Sequence, residues 1–225
     1  MEKVQFYNQF LMETTVSSQD NKNIDNQYNT TLLYEIIKIV GDIFVALFSL
    51  LALSPFLLFL TILIKISGRG PVIYSQDRIG KNGKPFLIYK FRSMVYNAEK
   101  GEPLLSGNHE ERITRIGCFL RKFRIDEIPN FFNVLKGEMS IVGPRPERQF
   151  FIDQIVKRVP EYTDLHQVKP GITSWGQVKY GYASSVEEMI ERLDYDLYYM
   201  KHRSFWFDLK IILYTIGTVF KGKGV

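Results

Sequence analysis

The sequence has few of the residues that build disulfides and metal centres. Its 225 residues include one cysteine and three histidines. Cys118 has no second thiol with which to pair, which excludes an intramolecular disulfide and predicts an ordinary structural residue. The histidines lack the spacing of metal ligands, so we interpret them as surface or structural residues. They are His109, His166 and His202.

Several larger signals are also absent. The first residues do not have the basic start, early apolar stretch and small-residue cleavage site of a secretory signal peptide. There is no internal repeat and no low-complexity run. Because neither zinc-ligand spacing nor an RNA-binding sheet motif is found, no nucleic-acid partner is expected. The length allows one domain, or a modest domain with a membrane segment.

Charge is divided unevenly along the chain. The formal net charge is +5, but residues 1–64 hold three Lys and six Asp or Glu, a charge of −3, so the remainder holds +8. The basic part is the part expected to be globular, which favours an anionic partner such as a phosphorylated substrate or an acidic lipid.

A long uncharged run lies near the start of the chain. Ile43 to Ile64 contains 22 residues without a charge, enough to cross a bilayer. Ser54 and Pro55 fall at its middle, where proline should bend a helix. This predicts either a kinked transmembrane helix or a re-entrant helix-break-helix, and the residues alone do not separate the two. The Lys and Arg residues that follow place the globular part in the cytoplasm.

Four regions are predicted. Residues 1–31 are a flexible polar tail, residues 32–67 a membrane helix, and residues 68–201 a cytoplasmic domain. Residues 202–225 are apolar and aromatic with scattered lysines, which favours a helix at the membrane interface over an ordinary core helix. The fold class is α+β and mostly helical.

Within the cytoplasmic domain, turn and periodicity signals place the elements. Residues 71–94 predict a β-hairpin with its turn at 80–83. Apolar residues at helical spacing predict helices around 113–123 and 128–135, the second ended by Gly137. Further helices are expected at 147–158 and 185–201, with Ser185 and Glu188 as a capping box. Trp175 is expected to pack in the core.

The stretch from Leu120 to Glu147 is the most informative. Asp126 stands where a helix should start, so a helix cap is its simplest explanation. However, Glu127, Arg121 and Arg124 crowd the same place, and the turn Gly143–Pro146 holds Arg145 between two rigid prolines. A carboxylate that attacks phosphorus needs cations to cancel the repulsion between two anions. Two adjacent carboxylates also suit Mg²⁺.

Five blocks in register resemble one family, the bacterial sugar transferases known as monotopic phosphoglycosyl transferases, which include undecaprenyl-phosphate sugar phosphotransferases. The resemblance covers roughly residues 34–224. The blocks are the apolar run broken at Ser54-Pro55, QDRIGKNGKPFLIYKFRSM, RIDEIPNFFNVLKGEMSIVGPRP, VKPGITSWGQV and DYDLYYMKHRSFWFDLKIIL.

This resemblance implies a monotopic membrane protein with a re-entrant helix hinged at Ser54 and Pro55, placed in the bacterial inner membrane. It implies that Asp126 and Glu127 are catalytic and bind Mg²⁺, with Asp126 attacking the sugar-bound phosphate of a UDP-sugar. Polyprenyl phosphate would then take the phosphosugar. The residues that match the substrate-binding positions of the family are Lys90, Arg121, Arg145 and Asp196.

One block departs from the family pattern. Many small members carry an Asn-Gly-Arg run after the Trp-x-Gln-Val block, whereas this chain has Lys179-Tyr180-Gly181-Tyr182. The sequence therefore leaves open how the nucleotide is held, and also the sugar, the polyprenol length, the glycan pathway and whether the chain forms a homo-oligomer. The competing hypothesis is a non-catalytic membrane-surface protein that binds acidic lipid or partner proteins.

Overall fold

A computed structural model describes residues 32–99, 101, 103–105 and 111–222. The predicted tail at 1–31 and His109 lie outside the described residues. The helices are α1 (Leu32–Ile66), α2 (Arg115–Lys122), α3 (Asn130–Leu135), α4 (Gln149–Val156), α5 (Trp175–Lys179), α6 (Val186–Lys201) and α7 (Phe205–Phe220). The strands are β1 (Ile73–Ile79), β2 (Pro85–Phe91), β3 (Ser140–Val142) and β4 (Gly171–Thr173). The mostly helical α+β class is confirmed.

Helix α1 differs from the sequence prediction in one respect. It continues without interruption through Ser54 and Pro55, so the expected break is wrong at the level of secondary structure. Ser54 Oγ donates to the Leu51 carbonyl oxygen at 2.8 Å. Proline removes one backbone donor and bends a helix, but the turns on either side can keep it helical.

The middle of α1 is left uncovered by the rest of the protein. Large apolar side chains such as Phe48, Leu51 and Leu58 are 64–65% exposed. Within the described residues, α1 is the one helix long and apolar enough to cross a membrane. An apolar surface of this length suits hydrocarbon better than water.

Both ends of α1 nevertheless contact the same domain. Near its start, Tyr34 and Lys38 donate to the Asp208 carboxylate on α7, at 2.8 and 2.7 Å. Near its end, Leu60 and Ile64 are buried in a small apolar cluster with Phe91 and Leu120. The two ends of the helix therefore lie against one body.

The β-hairpin is confirmed with the expected turn. β1 and β2 pair antiparallel with Tyr74 opposite Lys90, and a 3-10 turn at Lys81–Gly83 joins them. In that turn Asn82 adopts φ 59°, a left-handed conformation that asparagine tolerates. Asn133 on α3 fixes the hairpin, because its side chain accepts from the Tyr89 N–H and donates to the Leu87 carbonyl oxygen.

The remaining helices follow their predicted caps. Ser185 Oγ accepts from the Glu188 N–H at 3.1 Å, although the Glu188 carboxylate reaches the Ser184 N–H rather than that of Ser185. Gly137 follows α3 with φ 78°, as a terminating glycine should. Trp175 is 5% exposed and packs edge-on against Phe207, which confirms its core role.

Two features were not foreseen. β3 and β4 form a short parallel pair, with Ser140 opposite Gly171 and Val142 opposite Thr173. Cys118 is exposed rather than part of the core, because it lies on the outer side of the short helix α2 while Leu120 faces inward.

Candidate active site

A cavity of about 430 Å³ opens between the hairpin, the α2–α3 connection and the turn that follows β3. One face of the hairpin lines it, since Tyr74, Gln76 and Arg78 alternate on β1 and Lys90 stands opposite Tyr74. Eight Lys or Arg residues and four Asp or Glu residues contribute to the lining. This excess of positive charge suits a ligand with several negative charges.

The two candidate carboxylates are placed by an unusual backbone turn. Arg124 has φ 52° and ψ 24°, a left-handed conformation that is uncommon for a residue with a Cβ and often marks a functional site. It ends α2 and starts a 3-10 turn at Ile125–Glu127. This turn directs Asp126 and Glu127 into the cavity, where they are 9% and 8% exposed.

Asp126 is not a helix cap. The N-cap residue of α3 is Pro129, and neither this helix nor the 3-10 turn before it has a side-chain cap hydrogen bond. The Asp126 carboxylate makes no hydrogen bond or ion pair with any described residue. A buried acid without a structural partner is costly to keep, so the capping explanation fails and a ligand-directed role is favoured.

Glu127 is the opposite case, because cations surround it. Lys90 Nζ is 2.6 Å from its Oε1, Arg145 Nη1 is 3.4 Å from the same oxygen, and Arg124 Nη1 is 3.7 Å from Oε2. Burial alone would raise the pKa of Glu127, but these three cations together hold it well below its ordinary value. Glu127 is therefore the permanently ionised member of the pair.

Asp126 has a raised pKa for a different balance of reasons. Burial is the largest cause, the adjacent Glu127 charge adds to it, and Lys90, Arg121 and Arg124 act against both. The two neighbouring carboxylates thus differ in partners and in pKa. Such a division is typical of acid pairs that carry out chemistry.

The structure brings three of the four predicted substrate-binding residues to this cavity. Lys90, Arg121 and Arg145 line it beside the two carboxylates. Asp196 does not: its carboxylate is 2% exposed and accepts from the Gly176 N–H at 3.0 Å. Helical periodicity predicts that Asp196 lies on an inner face of α6, but not which neighbour it meets, and that neighbour is α5.

Backbone contacts fix the turn that carries Arg145. The Gly143 N–H donates to Thr173 and the Gly171 N–H donates to Pro144. A Cβ on Gly143 would lie 2.5 Å from the Lys169 carbonyl oxygen, and one on Gly171 would lie 2.2 Å from the Gly143 nitrogen. Two backbone segments that approach this closely leave no room for a side chain at either glycine. The segment of β4 therefore holds the turn in place.

Comparison with known proteins identifies the family of the chain. Residues 33–222 match the sequence model of the bacterial sugar transferase family. The chain belongs to this family.

Two relatives have more specific names. The sugar transferase is 42% identical over 203 residues to a UDP-N-acetylgalactosamine-undecaprenyl-phosphate N-acetylgalactosaminephosphotransferase of Aeromonas hydrophila, covering 89% of this chain and 48% of the relative. It is 40% identical over 199 residues to a UDP-glucose:undecaprenyl-phosphate glucose-1-phosphate transferase of Escherichia coli K12, covering 87% of this chain and 42% of the relative. The chain thus spans less than half the length of these two relatives.

A third relative is similar in extent. It is an uncharacterised sugar transferase of Bacillus subtilis, 37% identical over 190 residues, which cover 84% of this chain and 90% of the relative.

Sequence reasoning missed a second group of cavity residues in the transferase. Glu147 is 3% exposed and lies 3.0 Å from Arg78 Nη1, 2.8 Å from Arg192 Nη2 and 3.8 Å from Arg145 Nε. The signal for Glu147 was its position directly after the Gly143–Pro146 turn. Arg78 and Arg192 come from a strand and a helix that are 114 positions apart, and no local pattern joins them.

The residues present fit Mg²⁺ in part. Among the described residues there is no group of three or more His, Cys, Asp or Glu that could hold a metal. Mg²⁺, however, needs only one or two carboxylates when substrate phosphates supply other oxygens. The Asp126 carboxylate is free of partners among the described residues, and Glu127 lies next to it. These two residues would hold the ion, which would supply neutralisation of phosphate charge.

Proposed function

We propose that this protein transfers a phosphosugar from a UDP-linked sugar to polyprenyl phosphate, with Asp126 as the nucleophile. One observation supports this most strongly: a buried carboxylate that pairs with no described residue lies in a cavity that is otherwise rich in guanidinium and ammonium groups. The membership of the bacterial sugar transferase family and the names of the relatives support the reaction class.

In the first half-reaction, a carboxylate oxygen of Asp126 attacks the phosphorus bonded to the sugar. A P–O bond forms to Asp126 as the P–O bond to the nucleoside monophosphate breaks, and the nucleoside monophosphate leaves with the bonding electrons. In the second half-reaction, an oxygen of polyprenyl phosphate attacks the same phosphorus. This frees the Asp126 carboxylate and gives a polyprenyl diphosphate sugar.

The surrounding cations lower the barrier to this attack. Asp126 is negatively charged and so is its target, so their repulsion must be cancelled before the two can meet. Lys90 and Arg145 lie against Glu127, beside Asp126, where they can also contact phosphate oxygens. Groups fixed in advance in a partly dehydrated cavity stabilise the developing charge without reorganisation.

The contacts of α1 support a monotopic arrangement. A straight helix of 35 residues is about 52 Å long, and its two ends both touch the cytoplasmic domain. A spanning helix would put Tyr34 and Lys38 on the far side of the bilayer from Asp208, which they contact. We infer that the exposed middle of α1 dips into the cytoplasmic leaflet of the bacterial inner membrane and that α7 lies at its surface.

The decisive experiment measures nucleoside monophosphate release by the full chain purified in detergent. The assay offers a panel of UDP-sugars with Mg²⁺, with and without undecaprenyl phosphate. Release with one sugar is expected, and Asp126→Asn should reduce its rate at least about 10³-fold, as removal of a nucleophile does. Asp153→Asn is the matched control, because Asp153 is an exposed acid outside the cavity.

Two results would contradict the proposal. An Asp126→Asn variant with normal turnover would remove Asp126 as nucleophile. Folded protein that releases no monophosphate from any UDP-sugar would favour the non-catalytic membrane-surface hypothesis. A direct check is mass spectrometry of the protein after incubation with donor alone, where the added mass of a phosphosugar should appear on the peptide that contains Asp126.

A further inference from the structure

We propose that Tyr182 is the residue that positions Arg145 for the donor phosphates, and that its aromatic ring rather than its hydroxyl group carries this role. The inference rests on the proposed function, because it assigns the orientation of one phosphate-facing cation of that site. Tyr182 lies in the Lys179–Tyr182 stretch that the sequence left without a role.

Arg145 is held from three sides. Glu127 Oε1 lies 3.4 Å from its Nη1 and Glu147 Oε1 lies 3.8 Å from its Nε. The third side is the Tyr182 ring, whose centroid is 5.5 Å from the guanidinium carbon. A guanidinium at this distance from an aromatic face is attracted to it, and more strongly where water is excluded. The Arg145 side chain is only 10% exposed.

The two carboxylates hold Arg145 at long distances, because each is bound more closely by another cation. Glu127 is 2.6 Å from Lys90. Glu147 is 2.8 Å from Arg192. A charge-assisted hydrogen bond weakens as it lengthens beyond about 3 Å. The contact with the Tyr182 ring is therefore the third restraint on the orientation of the Arg145 guanidinium.

Tyr182 is itself well anchored. The preceding Gly181 has φ 103°, a conformation that a residue with a Cβ rarely adopts. The following residues lock onto α6, since Ala183 is 3% exposed and both the N–H and the hydroxyl of Ser184 donate to Glu188. The ring thus approaches the cavity from a backbone that is fixed on both sides.

The hydroxyl of Tyr182 has no hydrogen-bond partner among the described residues. The contact with Arg145 involves the ring face, which phenylalanine also has. A ring-based role therefore predicts that Tyr182→Phe retains the function and that Tyr182→Leu, which keeps an apolar side chain but has no ring, does not.

The test is a double-mutant cycle on nucleoside monophosphate release by the full chain. Tyr182→Leu should lower kcat/KM about ten- to thirty-fold, and Tyr182→Phe should stay within about threefold of the wild type. In an Arg145→Ala background, Tyr182→Leu should change kcat/KM less than threefold, because the cation that the ring positions is gone. Thermal unfolding of each variant verifies that it is folded.

Tyr180→Leu is the matched control. Tyr180 lies two residues away and outside the cavity lining, and its hydroxyl donates to Glu191 at 2.7 Å. Its loss should leave kcat/KM within about threefold. If Tyr182→Leu is as harmful with Arg145→Ala as without it, or if Tyr182→Phe is as harmful as Tyr182→Leu, Tyr182 does not act through Arg145.

Failure of this inference is distinguishable from failure of the proposed function. If the wild-type protein releases monophosphate and Asp126→Asn abolishes release, the transferase assignment stands whatever the cycle shows. Additive effects in the cycle would then contradict only the role of Tyr182. If the wild-type protein releases nothing from any donor, the proposed function fails first, and the inference fails with it.

Discussion

Two clusters of polar residues, one in the cavity and one where α1 meets α7, use the same residue types for different purposes. The cavity contains Asp126, which has no partner among the described residues, and Glu127, whose cations also line the cavity. At the junction of α1 and α7, by contrast, the Asp208 carboxylate accepts from Tyr34, Lys38 and Tyr199, at 2.7–2.8 Å. The buried acid of the junction therefore has its hydrogen-bond partners within the protein, whereas Asp126 in the cavity has none among the described residues. Incomplete pairing of buried charge thus separates a site that binds from one that holds elements together.

The largest effect that would sharpen this comparison is expected at Lys90. Lys90→Gln removes the ammonium group nearest Glu127. It should reduce kcat/KM about 10²-fold, since the proposed reaction loses a fixed positive charge beside the phosphate. Lys136→Gln is the control, because Lys136 is an exposed lysine that contacts Tyr89 outside the cavity. Equal activity of the two variants would contradict a role for Lys90 in the site.

The same variant should also move the pH profile. As the proposed nucleophile, Asp126 must be ionised to attack, and its pKa is raised by burial and lowered by Lys90. Activity should therefore fall as the pH drops through a pKa above the ordinary value of about 3.9 for aspartate. Without Lys90 this acid limb should move to still higher pH. The measurement is monophosphate release by Lys90→Gln and by the wild type as a function of pH. If the acid limb of the variant lies at the same pH as that of the wild type, a group other than Asp126 controls this limb.

A smaller and different effect is expected at the junction. Asp208→Asn leaves Lys38 without its ion pair and should lower the free energy of unfolding by about 1–3 kcal/mol. The melting temperature in detergent should fall by several degrees, while kcat/KM at 25 °C stays within about threefold. A large loss of activity without loss of stability would mean that the junction contributes to chemistry.

The smallest effect is expected at Asp196, which burial gives a pKa raised to about 6. An acid whose pKa is higher in the folded state than in the unfolded state destabilises the fold as pH rises from about 4 to 6. Asp196→Asn resembles the protonated form and can still accept from Gly176. It should therefore match or exceed the wild-type melting temperature at pH 7.5, with activity within about threefold. A hundredfold loss of activity would instead support the substrate-binding role that was predicted for Asp196.

The sequence predicted best where the cause of structure is local. The hairpin followed from its turn residues, and the ends of α3 and α6 followed from Gly137 and Ser185. The β3–β4 pair was missed because three-residue strands 31 positions apart leave no periodic signal. Lys90, Arg121 and Arg145 were expected around Asp126, whereas Arg78, Glu147 and Arg192 were not, since only the folded chain brings them together. The break at Pro55 was wrong because a helix can pass through a proline.

The close approach of Gly143 and Gly171 has a consequence for how such a transferase can change. The backbone of the turn that carries Arg145 is fixed by main-chain atoms that no side chain separates, so the place of this turn does not depend on the identity of the residues around the cavity rim. We expect substitutions at rim positions such as Tyr74 and Gln76 to alter which donor is accepted while the phosphate-facing turn stays fixed. New donor preferences can then arise without rebuilding the reaction centre.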